Sequence, residues 1–309
     1  MARTNLQIKV GSYTGNGADG RNITGIGFRP DMVWIKCSST DTNNAVWRTK
    51  EMRADLSGFL ASSNAGLADR IQELLSDGFQ VGTAAQVNSN GEVYQYIAFK
   101  GMSSQQYFWT GNYRGTGADN RDFTSGGFSF TPDFVLLQIA SAGTTAFRTS
   151  TVSGDVTLSF DQTANSVDLI QNLQANGFQL GTGARVNTSG TEYFFSAIKS
   201  LNGVIAVGTY TGTGASRSIT GIGFQPDVVF IKNQTTAAQA RLLTSTMVTG
   251  GKQSVYFGST ASTSTGITSL DSTGFTVATD DDVNKSGDTI HWVAFKSGNF
   301  NAPLSRLTA

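Results

Sequence analysis

The chain has 309 residues, 22 of them basic and 22 acidic, so its formal net charge is zero, and only 14% of its residues are charged. That balance leaves no electrostatic footprint for nucleic acid or for an anionic membrane surface. One cysteine, Cys37, excludes an internal disulfide, and one histidine, His291, excludes any site built from several imidazoles.

The first residues, MARTNLQIKVGSY, contain no apolar signal core. A protein made in the cytoplasm and not exported by the usual route is expected. No apolar run approaches the roughly 20 residues that span a bilayer. From Tyr13 to Lys36 the chain reads YTGNGADGRNITGIGFRPDMVWIK, a glycine-rich phrase that invites a phosphate-loop reading. That loop needs a Lys-Ser/Thr pair opening a helix, whereas these glycines precede another apolar strand. Glycines that permit positive φ in turns between strands explain the phrase better.

The run that follows, MVWIKC, is apolar on both alternating faces, with Val33 and Ile35 on one and Met32 and Trp34 on the other. A strand buried on both sides is predicted. The polar stretch after it holds Trp47 and Arg48. A guanidinium there can bridge carbonyls or carboxylates, or grip paired sugar hydroxyls, and an adjacent aromatic can stack on a pyranose. The segment ADRIQELLSDGF suggests a short helical turn before a Gly78-Phe79 strand. Asn88 to Gly91 reads as a hairpin turn into the closing strand VYQYIAFK. That strand is again two-faced, with Tyr94, Tyr96 and Ala98 opposite Val93, Ile97 and Phe99.

The whole pattern then recurs twice, at a pitch of about 100 residues. The opening tyrosine returns at Tyr113 and Tyr210, Pro30-Asp31 at Pro132-Asp133 and Pro226-Asp227, and Gly78-Phe79 at Gly177-Phe178 and Gly274-Phe275. Three units follow, 1–103, 104–201 and 202–309, each the size of a complete small domain. The expected fold is all-β, with three tandem antiparallel β-sandwiches of six or seven strands each. Doubly apolar strands need cover from neighbouring units, so packing about a pseudo-threefold axis is predicted.

Candidate chemistry is sparse. Arg48, Arg148 and Arg241, with Trp47 and Phe147 beside the first two, form the leading set; they either bind a glycan or tie one copy to the next. Asp280, Asp282 and Asn284 alternate like a fragment of a calcium loop but lack its distal Glu, leaving a weak Ca²⁺ candidate. His291 aligns with Gln95 and Phe194, which marks a strand-surface or interface position rather than a catalytic base. No acid pair recurs as a glycosidase would need. No catalytic residue and no cofactor is expected.

The pattern GFxPDxVxIK…DGFxVG…VNxSGxxYxYxAFK resembles a repeat family common in tailed-phage structural and tail-fibre-like proteins. The likeness covers essentially all 309 residues and is nearest in the third copy, through GFQPDVVFIKN and STGFTVATDDDVNKSGDTIHWVAFKSG. The strand signatures also resemble the H-type lectin sandwich, which assembles as trimers and binds galactose-type sugars. That likeness places the lectin arginine at Arg48, Arg148 and Arg241. It places the lectin's Trp-His pair near Gln86, Arg185 and Asp282, where neither residue type stands. The resemblance implies a non-enzymatic virion protein, decorating the capsid or accessory to the tail, with other virion proteins as partners. The alternatives are a tail component that binds a host surface glycan and, further off, a polysaccharide-degrading enzyme.

Overall fold

The structure is a computed structural model that describes residues 5–102, 106–124, 126–250, 253–262 and 266–300. Among the described residues the two sheets of each unit draw on eight of its strands, rather than six or seven. In the first unit they are β1 (Leu6–Thr14), β2 (Arg21–Thr24), β3 (Met32–Cys37), β4 (Val46–Thr49), β5 (Gly58–Phe59), β6 (Ile71–Leu75), β7 (Gly78–Val81) and β8 (Val93–Lys100). They form a sheet in the order β1-β8-β3-β4-β5 faced by a smaller sheet β2-β7-β6, all pairs antiparallel.

The second unit repeats this order with β9 (Phe108–Arg114), β10 (Arg121–Phe123), β11 (Phe134–Ile139), β12 (Ala146–Thr149), β13 (Leu158–Ser159), β14 (Ile170–Gln174), β15 (Gly177–Leu180) and β16 (Glu192–Ile198). The third has β17 (Ile205–Thr211), β18 (Arg217–Ile219), β19 (Val228–Asn233), β20 (Arg241–Thr244), β21 (Val255–Tyr256), β22 (Ile267–Asp271), β23 (Gly274–Val277) and β24 (Thr289–Phe295). A last strand, β25 (Gly298–Phe300), leaves the third unit and pairs with β1 of the first, Leu6 opposite Phe300.

The two-faced strands behave as their sequence requires. Val33, Ile35, Tyr94, Tyr96 and Ala98 pack inside the first sandwich. Met32, Trp34, Ile97 and Phe99 face away from it, into a central core shared with Phe134, Leu136 and Phe147 of the second unit and Val228, Phe230 and Phe295 of the third. Ring pairs cross all three junctions: Phe99–Phe108 at 5.5 Å, Phe134–Phe230 at 5.4 Å and Trp34–Phe230 at 6.0 Å between centroids. Each five-stranded sheet is thus covered twice, once by its own small sheet and once by its neighbours, about a pseudo-threefold axis.

The glycine phrase has a structural reason in every copy. A Cβ on Gly15, Gly115 or Gly212 would sit 2.1, 2.1 or 2.0 Å from the carbonyl of Ser89, Thr188 or Lys285. Two residues on, Gly17, Gly117 and Gly214 hold φ of 71°, 74° and 72°, a region where side chains are strained. Both glycines donate their amides to the segment around the repeated asparagine, at 2.7–2.9 Å. That asparagine does not make a hairpin. Asn88, Asn187 and Asn284 lie where the chain crosses from the small sheet to the large one. Their side chains are fully buried, and each amide donates to two carbonyls: Ala18 and Gly82, Ala118 and Gly181, Ala215 and Ala278.

Helical turn, expected before the Gly-Phe strand, occurs after it, in α1 (Ala184–Asn187) and α3 (Asp281–Asn284), while IQELL and its counterparts are strands β6, β14 and β22. Register with the Gly-Phe strand overrides local helix propensity there. A third helix, α2 (Ser245–Thr249), has no counterpart in the other units and is capped by the Thr244 side chain.

The Pro-Asp pairs have one role in all three copies. The Asp31, Asp133 and Asp227 carboxylates accept the Gly101, Ser200 and Ser297 amides at 2.8–2.9 Å. Each pins the point where the closing strand leaves its unit.

Candidate functional site

The leading arginines divide into two kinds. Arg48 and Arg148 occupy matched places, opposite Val33 and Val135 in the strand register. Arg48 donates to the carbonyls of Leu56 (2.5 Å), Ile71 (3.3 Å), Met52 (3.0 Å) and Ala54 (2.5 Å). Arg148 donates to those of Val156, Ile170 (3.4 Å), Val152 (2.9 Å) and Gly154 (2.6 Å). Both are about 5–6% exposed. They tie a strand to the loop of their own unit, and neither bridges to the next copy nor presents its fork to a sugar. Burial lowers both pKa values, offset in part by the nearby Asp55 and Asp155.

The aromatics beside them are equally enclosed. Trp47 and Phe147 are completely buried in the central core, so neither is available as a stacking platform. The residue matched to them in the third copy is Leu242, opposite Phe230.

Arg241 is not the third member of the set. Leu243 stands opposite Val229, in the place that Arg48 and Arg148 fill, while Arg241 stands opposite Ile231, where the other units have Val46 and Ala146. Where the first unit has the loop that Arg48 organises, the third has α2, capped by the Thr244 side chain and closed by the Gly250 amide on the Thr246 carbonyl. Arg241 has instead built a polar cluster. It is fully buried, lies 3.9 Å above the Tyr256 ring, donates to the Tyr256 hydroxyl at 2.7 Å, and forms an ion pair with Asp280. The Tyr256 hydroxyl in turn donates to Asp282. Burial raises the Asp282 pKa, the Tyr256 hydrogen bond and the Arg241 charge opposing it and Asp280 adding to it.

Gln86, Arg185 and Asp282 do share one place, the turn before the repeated Val-Asn, and each is half-buried. Their chemistry follows the strand beneath. Arg185 covers the small Ser159, donating to its hydroxyl at 2.8 Å and to the Thr144 and Thr145 carbonyls at 3.2 Å. Asp282 caps Tyr256. These contacts fill the position differently in the second and third units.

The calcium fragment does not assemble. Asp280 caps α3 and pairs with Arg241, and Asn284 uses its amide group on backbone. Among the described residues no three His, Cys, Asp or Glu side chains gather as a metal cluster, and no helix is long and apolar enough to cross a membrane.

What the structure brings together is a ring of contacts joining the units head to tail. The Ala45 amide donates to the Phe257 carbonyl (2.7 Å), the Ala240 amide to the Phe160 carbonyl (2.8 Å) and the matching Thr145 hydroxyl to the Phe59 carbonyl (2.7 Å). A second ring uses the penultimate residue of each central strand. Lys36 reaches Gly258 O (2.7 Å), Lys232 reaches Asp161 O (2.7 Å) and Gln138 reaches Phe59 O (3.3 Å). Burial lowers both lysines to about 8, against the pull of Asp41 on Lys36 and Asp161 on Lys232. Both ammonium groups are therefore still charged at neutral pH.

A third set of contacts, at two of the three junctions, passes through the place that His291 occupies. Gln95 accepts from the hydroxyls of Thr244 (3.2 Å) and Thr246 of the third unit. His291 Nδ1 lies 2.7 Å from the Thr151 hydroxyl of the second, with Nε2 against Gln234. A neutral ring protonated on Nε2 satisfies both partners. Burial, and then the Arg148 charge, push the His291 pKa down to about 4.

Where the first two rings meet on the axis, a polar depression of about 380 Å³ opens between all three units, lined by Asn44 and Ala61, Asp161, and Gln239 and Gly258. It escapes sequence reading because its residues are 44, 61, 161, 239 and 258, which only the ring places side by side.

The profile of Domain of unknown function (DUF7483) matches residues 7–105 and again 203–303, the first and third units, and the chain belongs to that family. The second unit, outside both matched stretches, has the same strand order. No curated protein matches the chain. No solved structure matches it either.

Proposed function

We propose that this member of the family is a non-enzymatic structural protein of a bacteriophage particle, a capsid-decorating or tail-accessory subunit that works by assembly with other virion proteins. The observation that carries the reading is the closed ring. Three sandwiches cover one another's sheets, and the residues best suited to chemistry, Arg48, Arg148, Lys36, Lys232 and His291, are buried in holding loops and units together. Such an arrangement yields a rigid block with three like faces, a shape that suits a repeating surface. The attribution to a phage rests on the repeated phrase and its resemblance to tailed-phage structural repeats.

Particles of a phage that encodes this chain, separated into heads and tails and analysed by quantitative mass spectrometry, test the proposal. Recovery in fixed ratio to a capsid or tail protein supports it; absence from purified particles overturns it.

A glycan-binding role is the second reading, and it moves away from the arginines. Their forks are saturated by carbonyls, so the polar depression on the axis is the feature that favours it.

A further inference from the structure

We infer that the depression on the pseudo-threefold axis is a binding site for a neutral, hydroxyl-rich ligand, a saccharide of roughly one or two rings, with Asp161 and Gln239 as its principal acceptors. This deepens the second reading above and is independent of where the protein sits in a particle.

The inference starts from what lines the space. Its floor comes from Asn44 and Ala61 of the first unit, Asp161 of the second, and Gln239 and Gly258 of the third; Gln162, Thr163 and Ser259 form an exposed rim. The volume, about 380 Å³, falls at the lower end of small-molecule sites. Nearly every wall is an amide, a hydroxyl or a carboxylate, which argues against an apolar occupant. The one charged side chain among them is Asp161, which argues against an anion. The nearby ammonium groups of Lys36 and Lys232 do not change this, because each is turned onto backbone carbonyls behind the floor.

Two groups await hydrogen-bond donors. Gln239 is 8% exposed; its amide nitrogen donates to the Thr260 hydroxyl at 2.6 Å, while its Oε1 is buried without a partner in the protein. Buried acceptors are rarely left so. Asp161 receives one bond on each oxygen, from the Thr163 amide (3.0 Å) and the Thr144 hydroxyl (3.2 Å), which leaves lone pairs on both. A sugar hydroxyl supplies a donor to Asp161 as it stands, and to Gln239 Oε1 once that side chain turns toward the space.

The symmetry of the molecule adds a reason. Ala61, Asp161 and Gly258 are matched residues of the three units, as are Asn44, Thr144 and Gln239. The structural rings keep like chemistry at several matched places. Here the copies differ: two small residues open the space and one carboxylate faces it. A Cβ on Gly258 would come within 2.2 Å of Gln239 Oε1, so the glycine also sets where that acceptor stands. The result is a site on an axis of symmetry that is itself asymmetric, suited to one ligand in one orientation.

The test is the full chain on an array of neutral mono- and disaccharides, with uronic-acid and sialylated glycans alongside, followed by titration calorimetry of the best neutral ligand. Asp161→Asn keeps shape and removes charge; Ser259→Trp crowds the exposed rim without touching the core. Binding of a neutral saccharide that weakens about tenfold or more in both variants, with the melting temperature of Ser259→Trp unchanged, is expected. The inference is overturned if no neutral glycan binds, if only the anionic glycans bind, or if binding survives both substitutions. A failure here leaves particle location unaffected, so it separates from a failure of the assembly role.

Discussion

Lys36 of the first unit donates its ammonium hydrogens to Gly258 of the third, and also to the Asp41 and Asn43 carbonyls of its own loop. One buried cation thus satisfies three carbonyls across the junction between units one and three.

Replacing Lys36 by Met is expected to leave those carbonyls without donors. Each unsatisfied buried group costs about 1–3 kcal/mol, so a loss of several kcal/mol is expected in urea titration. The wild type should also gain stability as pH rises. Lys36 and Lys232 titrate near 8 when folded and near 10.4 when unfolded, so between these values the unfolded chain holds more protons. Stability that stays flat or falls through that window in wild type, relative to the Lys36→Met/Lys232→Met double variant, refutes the assignment.

His291 gives the opposite edge of the profile. Its folded pKa near 4 lies below the ordinary value of 6.5. The unfolded chain therefore takes up a proton first as pH falls, and stability present above 6.5 is lost between 6.5 and 4, by up to about 3 kcal/mol. His291→Gln copies Gln95, which meets threonine hydroxyls in the matched place. The variant should show a shallower acid limb by denaturant titration at stepped pH; an unchanged limb would show that His291 contributes nothing.

Arg48→Ala and Arg148→Ala should each lower stability by roughly 3 kcal/mol, since each strands several loop carbonyls. Lysine at either place should recover only part of the loss, because one ammonium cannot reproduce a fork that reaches four carbonyls. Thermal melts of the four variants measure this. Full recovery by lysine would show that charge alone matters.

The Arg241 cluster makes a different claim. Arg241→Val alone leaves Asp280 and Asp282 facing an apolar strand and should cost about 3–5 kcal/mol. Converting the whole place to its first-unit counterpart, Arg241→Val with Tyr256→Phe, Asp280→Ala and Asp282→Gln, removes the unpaired charges as well. That quadruple variant should regain most of the stability lost by the single one. Losses that simply add across the four positions would defeat the idea of one interdependent unit.

Much of this architecture is legible in the sequence, and the reason is periodicity. Trp34 beside Val33 in a strand apolar on both faces requires two covers, and the threefold repetition supplies the second. The glycines before Asn88, Asn187 and Asn284 recur because a backbone carbonyl presses on one and positive φ is needed at the other. The site residues are less legible. Arg241 follows β19 at nearly the spacing of Arg48 after β3, and only the hydrogen-bond register reveals that it lies two residues out of step. The helical turn is hard to place for a related reason: IQELL has good helix formers, but pairing with the Gly-Phe strand decides its conformation. The axial depression has no linear signature, since its floor joins residues more than 200 positions apart.

The pairing of β25 with β1 has a consequence for how the polypeptide could be cut. Leu6 lies opposite Phe300, so the two ends of the described fold are adjacent, and the first and third units meet without a covalent link. The order of sandwiches around the axis is cyclic even though the chain is linear. A circular permutant that joins the two ends by a short linker and opens at the junction near residue 201 should bury the same core and melt as one cooperative unit. Separate transitions for its units would mean that chain order, and not the ring, holds the molecule together.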